Sequence, residues 1–166
     1  MRVLLLDDDT ACLESLITAL KPAGYQCDAF ADPVEAMRAY RKHEYDVVIT
    51  DLKLPGMNGI QVLKLVRSWK RKTEVILITG YGDTESAIEA VNLHAYAYLV
   101  KPLNLGELVR ILDTIAEQHR KQDELQSEQM RFAQEYTRFY KLLDEMRLFL
   151  DRILSERCKK DGIHGT

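Results

Sequence analysis

Four short apolar runs in this sequence end on groups that handle phosphate. Val3-Leu4-Leu5-Leu6 ends in Asp7-Asp8-Asp9, and Val47-Val48-Ile49-Thr50 ends in Asp51. Val75-Ile76-Leu77-Ile78 ends in Thr79-Gly80, and Tyr98-Leu99-Val100 ends in Lys101-Pro102. In an open parallel sheet the C-terminal strand ends share one edge, where ligands bind. Those four ends would bring the carboxylates of Asp7, Asp8 and Asp51, the hydroxyl of Thr79 and the ammonium of Lys101 into one pocket. That combination suits a divalent metal and a phosphoryl group.

The chemistry needs few parts. Mg²⁺ takes oxygen ligands in octahedral geometry and usually keeps waters beside one or two carboxylates; Asp7, Asp8 and Asp51 are the candidates. Lys101 can pair with Asp51 or with a phosphoryl oxygen, and Thr79 can donate to another. Phosphoryl transfer is mostly positioning and charge neutralisation, and a carboxylate can itself be the nucleophile that forms an aspartyl phosphate. Asp51, Lys101 and Thr79 are therefore the candidate catalytic residues.

The elements that must position these groups alternate regularly. Strands are expected near 2–6, 25–30, 46–50, 74–78 and 96–100, and helices near 10–21, 33–43, 58–71, 84–93 and from 105 onward. The runs at 3–6, 47–49 and 75–78 are apolar on both faces, as strands covered by helices on two sides should be. Five such units in order predict an α/β, doubly wound domain. Asp32-Pro33 reads as an N-cap followed by proline at the first helical position. Asp83 can cap the next-to-last helix, Asn104 with Glu107 has capping-box spacing, and Gly24 can close the first helix. Asp9 reads as a helix cap rather than a ligand.

Taken together, the acidic cluster Asp7-Asp8-Asp9, Asp51 within VVITDLKLPGMNG, Ile78-Thr79-Gly80-Tyr81-Gly82 and Tyr98-Leu99-Val100-Lys101-Pro102 resemble the response-regulator receiver domain of two-component signalling. The resemblance covers residues 1 to about 119. It implies a flavodoxin-like five-stranded parallel sheet of order 2-1-3-4-5, with Asp51 as phosphorylation site. It implies Mg²⁺ held by Asp8 directly, Asp7 through water, Asp51 and the backbone carbonyl of Lys53. Thr79 and Lys101 would contact the phosphoryl group, Thr79 and Tyr98 would form the switch, and Lys101-Pro102 would be cis. The phosphodonor would be a phosphohistidine on a sensor histidine kinase or phosphotransfer protein. Lys53 and Tyr81, each two residues past a site residue, are expected to set the phosphoryl lifetime. A Mg-dependent phosphatase with an aspartate nucleophile is the reading from another class; such enzymes usually carry a second Asp where Lys53 stands.

The rest of the chain asks for a different partner. Neither glycine nor proline occurs between Gly106 and Gly162, so the last helix can run for more than fifty residues, roughly 80 Å. Leu125, Phe132, Phe139, Met146 and Ile153 recur every seven residues, and Gln129, Tyr136, Leu143, Leu150 and Arg157 follow four later, a d-then-a heptad frame. Traced backward, the frame picks up Leu108, Ile111 and Ile115, with Gln118 and Gln122 at a polar join. From Phe139 on, Tyr140, Leu142, Phe149 and Leu154 widen the stripe, as in a thicker bundle. The expected organisation is a receiver at 1–119, a coiled-coil helical extension at 120–160 that forms a dimer or larger assembly, and a flexible tail at 161–166.

Bulk properties narrow the class. The 166 residues are 46% hydrophobic with net charge −3, enough for a sizeable core and no electrostatic footprint for nucleic acid. Residues 121–160 mix nine basic with eight acidic side chains, a solvated flank and not a basic arm. Protein–protein output is expected, with no direct nucleic-acid or membrane partner; an N-terminal fragment of a larger regulator with an ATPase or other effector is the alternative. The scattered Cys12, Cys27 and Cys158 have no metal-ligand spacing. With no run near the ~20 apolar residues of a membrane span, a cytoplasmic protein is expected.

Overall fold

The structure is a computed structural model describing residues 1–69, 71–80, 82 and 84–161, with side chains described through residue 156. The expected cap at Asp83, the lifetime residue Tyr81, the side chains of Arg157 and Cys158, and the tail at 162–166 lie outside the described residues. The chain divides into two units, Met1–Ala116 and Glu117–Thr166.

The first unit alternates strand and helix: β1 (Arg2–Leu6), α1 (Thr10–Leu20), β2 (Gln26–Phe30), α2 (Pro33–Lys42), β3 (Val47–Asp51), α3 (Gly59–Ser68), β4 (Glu74–Thr79), α4 (Thr84–Asn92), β5 (Ala97–Val100) and the start of α5 (Leu105–Asp161). All strands pair in parallel, in the order β2-β1-β3-β4-β5. This is the doubly wound sheet the sequence predicts. The strand order reverses between β1 and β3, which opens the crevice where ligands bind in such sheets.

Side-chain alternation along the strands builds a core on each face. Leu4, Leu6, Val48, Val75 and Leu77 point to one side, against Met37 and Tyr40 of α2, Ile60, Leu63 and Val66 of α3 and Ala90 of α4. Val3, Leu5, Val47, Ile49, Ile76 and Ile78 point to the other, against Leu13, Leu16 and Leu20 of α1 and Leu108, Leu112 and Ile115 of α5. The backward heptad trace is thereby corrected. Leu108 and Ile115 are buried in the receiver core, so the sheet, not a partner helix, explains their spacing.

Helix ends follow local chemistry. Asp9 caps α1 by accepting from the Ala11 and Cys12 amides, and Asp32 caps α2 through the Val34 amide, with Pro33 in the first turn. Asn104 accepts from the Glu107 amide at 3.1 Å. The capping box at the start of α3 escaped sequence reading: Asn58 accepts from the Gln61 amide while the Gln61 side chain accepts from the Asn58 amide. Helix α1 ends at Leu20, and Gly24 sits beyond it at φ 82°, closing the turn whose amide bonds back to Lys21. Helix α3 stops at Ser68, short of the expected 71, with Trp69 as its cap.

Within the second unit, residues 121–156 are exposed throughout. Arg120 pairs with Glu117 and Glu124, and Lys121 with Glu117, at helical spacing. No helix among the described residues is long and apolar enough to cross a membrane.

Candidate functional site

The four strand ends deliver their groups to one edge, as the parallel pairing requires. Asp7 follows β1 and is almost completely buried; Asp51 ends β3 and is 7% exposed; Thr79 ends β4 and is fully buried. Lys101 follows β5, its amide donating to the Thr79 carbonyl at 2.7 Å. The Lys101-Pro102 bond is cis.

One ammonium ties the site together. Lys101 Nζ donates to Asp51 Oδ2 at 2.6 Å and to Asp7 Oδ2 at 2.8 Å. The opposite carboxylate oxygens are held by backbone amides. Asp9 N–H donates to Asp7 Oδ1 at 2.9 Å and Lys53 N–H to Asp51 Oδ1 at 2.9 Å. Each carboxylate thus has one oxygen on a cation and one on an amide, which fixes its orientation and leaves lone pairs on both oxygens. Burial alone would lower the Lys101 pKa; the hydrogen bonds to Asp51 and Asp7 outweigh it and hold the group well above the usual lysine range.

Asp8 completes an acidic triangle. Carboxylate oxygens of Asp7, Asp8 and Asp51 all lie within 4.8 Å of one another, with Asp8 exposed and the other two buried. Three hard oxygen donors of this kind, one open to solvent, fit a cation such as Mg²⁺ that retains waters. Asp9, by contrast, spends its side chain on the α1 cap.

The loop after Asp51 is set by two glycines. Gly56 adopts φ 80°, a conformation that favours glycine. At Gly59 a Cβ atom would lie 2.5 Å from the Asp51 carbonyl oxygen and 2.9 Å from Leu52 Cα. Only glycine lets α3 begin this close to the end of β3.

Two groups beside the site carried no sequence signal that identified them. The Cys12 thiol, in the first turn of α1, is pushed up to about 12, first by burial and then by its hydrogen bond to Asp7. Ser86 Oγ on α4 lies 2.8 Å from the Tyr98 hydroxyl on β5. Tyr98 is half-buried, its ring against the core that α3 and α4 cover. Asp8, Lys53, Glu85, Ser86 and Glu89 line a cleft of about 630 Å³ between the Asp51 loop and α4.

Comparison with known proteins agrees with this geometry. The family model described as the response regulator receiver domain matches residues 3–113. Regulatory protein AtoC of Escherichia coli K12 is 36% identical over 107 residues, which is 64% of this chain and 23% of AtoC. Transcriptional regulatory protein HprR of the same organism is 33% identical over 119 residues, 72% of this chain and 53% of HprR. Among solved structures, a CheY-like response regulator receiver domain protein from Methanospirillum hungatei JF-1 matches with a TM-score of 0.68 at 30% identity, over 72% of this chain and 97% of that one. A receiver domain protein from Clostridium thermocellum matches with a TM-score of 0.67 at 27% identity, over 72% and 96%. The chain spans about a quarter of the length of the first curated relatives, between 23% and 28%.

Proposed function

This chain belongs to the receiver-domain family of two-component response regulators, and from that premise we propose that Asp51 accepts a phosphoryl group from a phosphohistidine on a sensor kinase or phosphotransfer protein. The observation that carries the proposal is the Lys101 ammonium joining Asp51 to Asp7 beside a third carboxylate. In the transfer, an Asp51 oxygen bonds to phosphorus, the N–P bond breaks, and the imidazole keeps the electron pair and takes a proton from solvent. Lys101 and the Thr79 hydroxyl meet the charge on the equatorial oxygens. The carboxylates of Asp7, Asp8 and Asp51 and the backbone carbonyl of Lys53 are the residues that would hold Mg²⁺, which when bound neutralises phosphoryl charge.

The proposed output is a shift between two conformations. The phosphate draws Thr79 toward it, and Tyr98, paired with Leu77 two residues before Thr79 in the β4–β5 register, leaves Ser86 and turns inward. The face of α4, β5 and α5 then changes, and it is read through protein–protein contact. The proposed domain division is a receiver to residue 119 and a helical extension at 120–160 that self-associates through its heptad seam; cytoplasmic action is part of the same reading.

Incubation with acetyl phosphate and Mg²⁺ tests the proposal. A receiver forms a stable, slowly hydrolysed adduct; rapid turnover of phosphomonoesters would instead assign the aspartate-nucleophile phosphatase class.

A further inference from the structure

The C-terminal half of the long helix exposes more apolar surface than a two-stranded coil can cover. In the heptad frame, Leu143 and Leu150 occupy a, and Met146 and Ile153 occupy d; a dimer buries little beyond these. Tyr140 and Leu154 fall at e, with Arg147 between them, and Leu142 and Phe149 at g, so the stripe covers ~180° of the helix at 100° per residue. All are exposed, from 40% at Ile153 to 62% at Phe149. On ordinary side-chain areas this leaves roughly 1,000 Å² of apolar surface per chain, beyond the largest patch of a typical monomer.

We propose that four copies of this chain cover that stripe as a parallel, in-register four-helix bundle over residues 136–154. The inference rests on the self-association reading given above and specifies its stoichiometry. Three observations support it. No a position from Tyr136 to Leu150 is β-branched and no d position from Phe139 to Ile153 is leucine, so the dimer pairing of β-branched a with leucine d is absent, and Leu150 with Ile153 gives the pairing that favours larger assemblies. Apolar e and g positions are buried in a four-stranded bundle and left wet in a two-stranded one. Helix α5 runs unbroken from Leu105 to Asp161, so among the described residues each chain supplies one strand. Gln122 and Gln129, at the a positions that precede the bundle on the same helix, favour the chain itself as the occupant. In register and parallel, each faces its own kind and finds a hydrogen-bond partner, whereas an unlike helix or a shifted register would set it against apolar side chains.

Sedimentation equilibrium or light scattering on the full chain at micromolar concentration tests this. The expected mass is about 76 kDa, four times the 19.1 kDa chain. The double variant Leu142→Glu/Phe149→Glu removes only the g flank and should halve that mass, while Leu143→Asp/Leu150→Asp should return the monomer. These positions are solvent-exposed in the single chain, so the receiver's fold does not depend on them. Gln129→Cys, in a chain whose native cysteines are serine, should form interchain disulfides under mild oxidation. A wild-type dimer, a g-flank variant of unchanged mass, or absence of the crosslink overturns the four-stranded parallel bundle but spares self-association. A wild-type monomer overturns both.

Discussion

Lys101 reaches past the end of β4 to Asp51, its Nζ 2.6 Å from Asp51 Oδ2, and holds Asp7 at 2.8 Å with the same ammonium. Asp7 follows β1 and Asp51 ends β3, which are neighbouring strands, while the lysine follows the edge strand β5. Two buried carboxylates this close repel unless a cation lies between them. Lys101 therefore supplies the positive charge that lets Asp7 and Asp51 lie side by side.

Replacing Lys101 with methionine should keep the side chain's length and remove its charge. Losing one preorganised donor to a developing anion typically costs 10²–10³ in rate, so phosphorylation from acetyl phosphate should slow by about 100-fold. Divalent cation affinity, read by calorimetry, should not fall, because the acidic triangle keeps its three carboxylates. Unchanged phosphorylation kinetics would remove Lys101 from the catalytic set.

Gly59→Ala should damage stability and site together. The new Cβ meets backbone atoms at 2.5 and 2.9 Å, so α3 must move away from β3. Overpacking of this kind costs about 1–3 kcal/mol, measurable by urea denaturation, and the displaced Asp51 loop should also slow phosphorylation. Wild-type stability would show that the helix moves without strain.

Ser86→Ala removes the partner of the Tyr98 hydroxyl, a neutral hydrogen bond worth about 0.5–1.5 kcal/mol. If that bond holds Tyr98 outward, the unphosphorylated variant should show Tyr98 ring resonances displaced toward their phosphorylated positions. Tyr98→Phe should give the same displacement in the neighbouring α4 amides. Resonances that stay at their resting positions in both variants would deny Ser86 this role.

A carboxylate remote from the site gives a pH test. The Tyr45 hydroxyl donates to Asp28 at 2.7 Å, burial opposes it, and Arg2 adds two more hydrogen bonds through Nε and Nη2. The net effect holds Asp28 below the usual carboxylate range. A folded pKa below the unfolded one contributes stability above the unfolded value, near 3.9 for aspartate, and loses it as pH falls through the folded value. Tyr45→Phe should raise the Asp28 titration midpoint seen by NMR and flatten the acid limb of the stability profile. A midpoint that does not rise would place the main support with Arg2.

Much of the site was legible because its residues end apolar runs. A strand buried on both faces announces itself by continuous β-branched and leucine residues, and the group that follows must emerge at the sheet edge. Asp7, Asp51, Thr79 and Lys101 all occupy that position, and the helix caps at Asp9 and Asp32 follow from local chemistry alone. What stayed hidden depends on contacts between elements. The Ser86–Tyr98 bond joins residues whose alignment is set by how α4 lies on β5, and the Cys12–Asp7 contact by how α1 leaves β1. The seven-residue spacing misled at Leu108 and Ile115, since a helix against a sheet and a helix against a helix use nearly the same period; only burial separates the two.

The central claim is that Asp51 carries the phosphoryl group. After incubation with acetyl phosphate and Mg²⁺, borohydride reduces an aspartyl phosphate to homoserine, which peptide mass spectrometry locates. The account predicts homoserine at position 51 in the wild-type chain and none in Asp51→Asn. Homoserine at Asp7 or Asp8 in its place, or an unmodified Asp51 in a chain that hydrolyses phosphomonoesters rapidly, would contradict it.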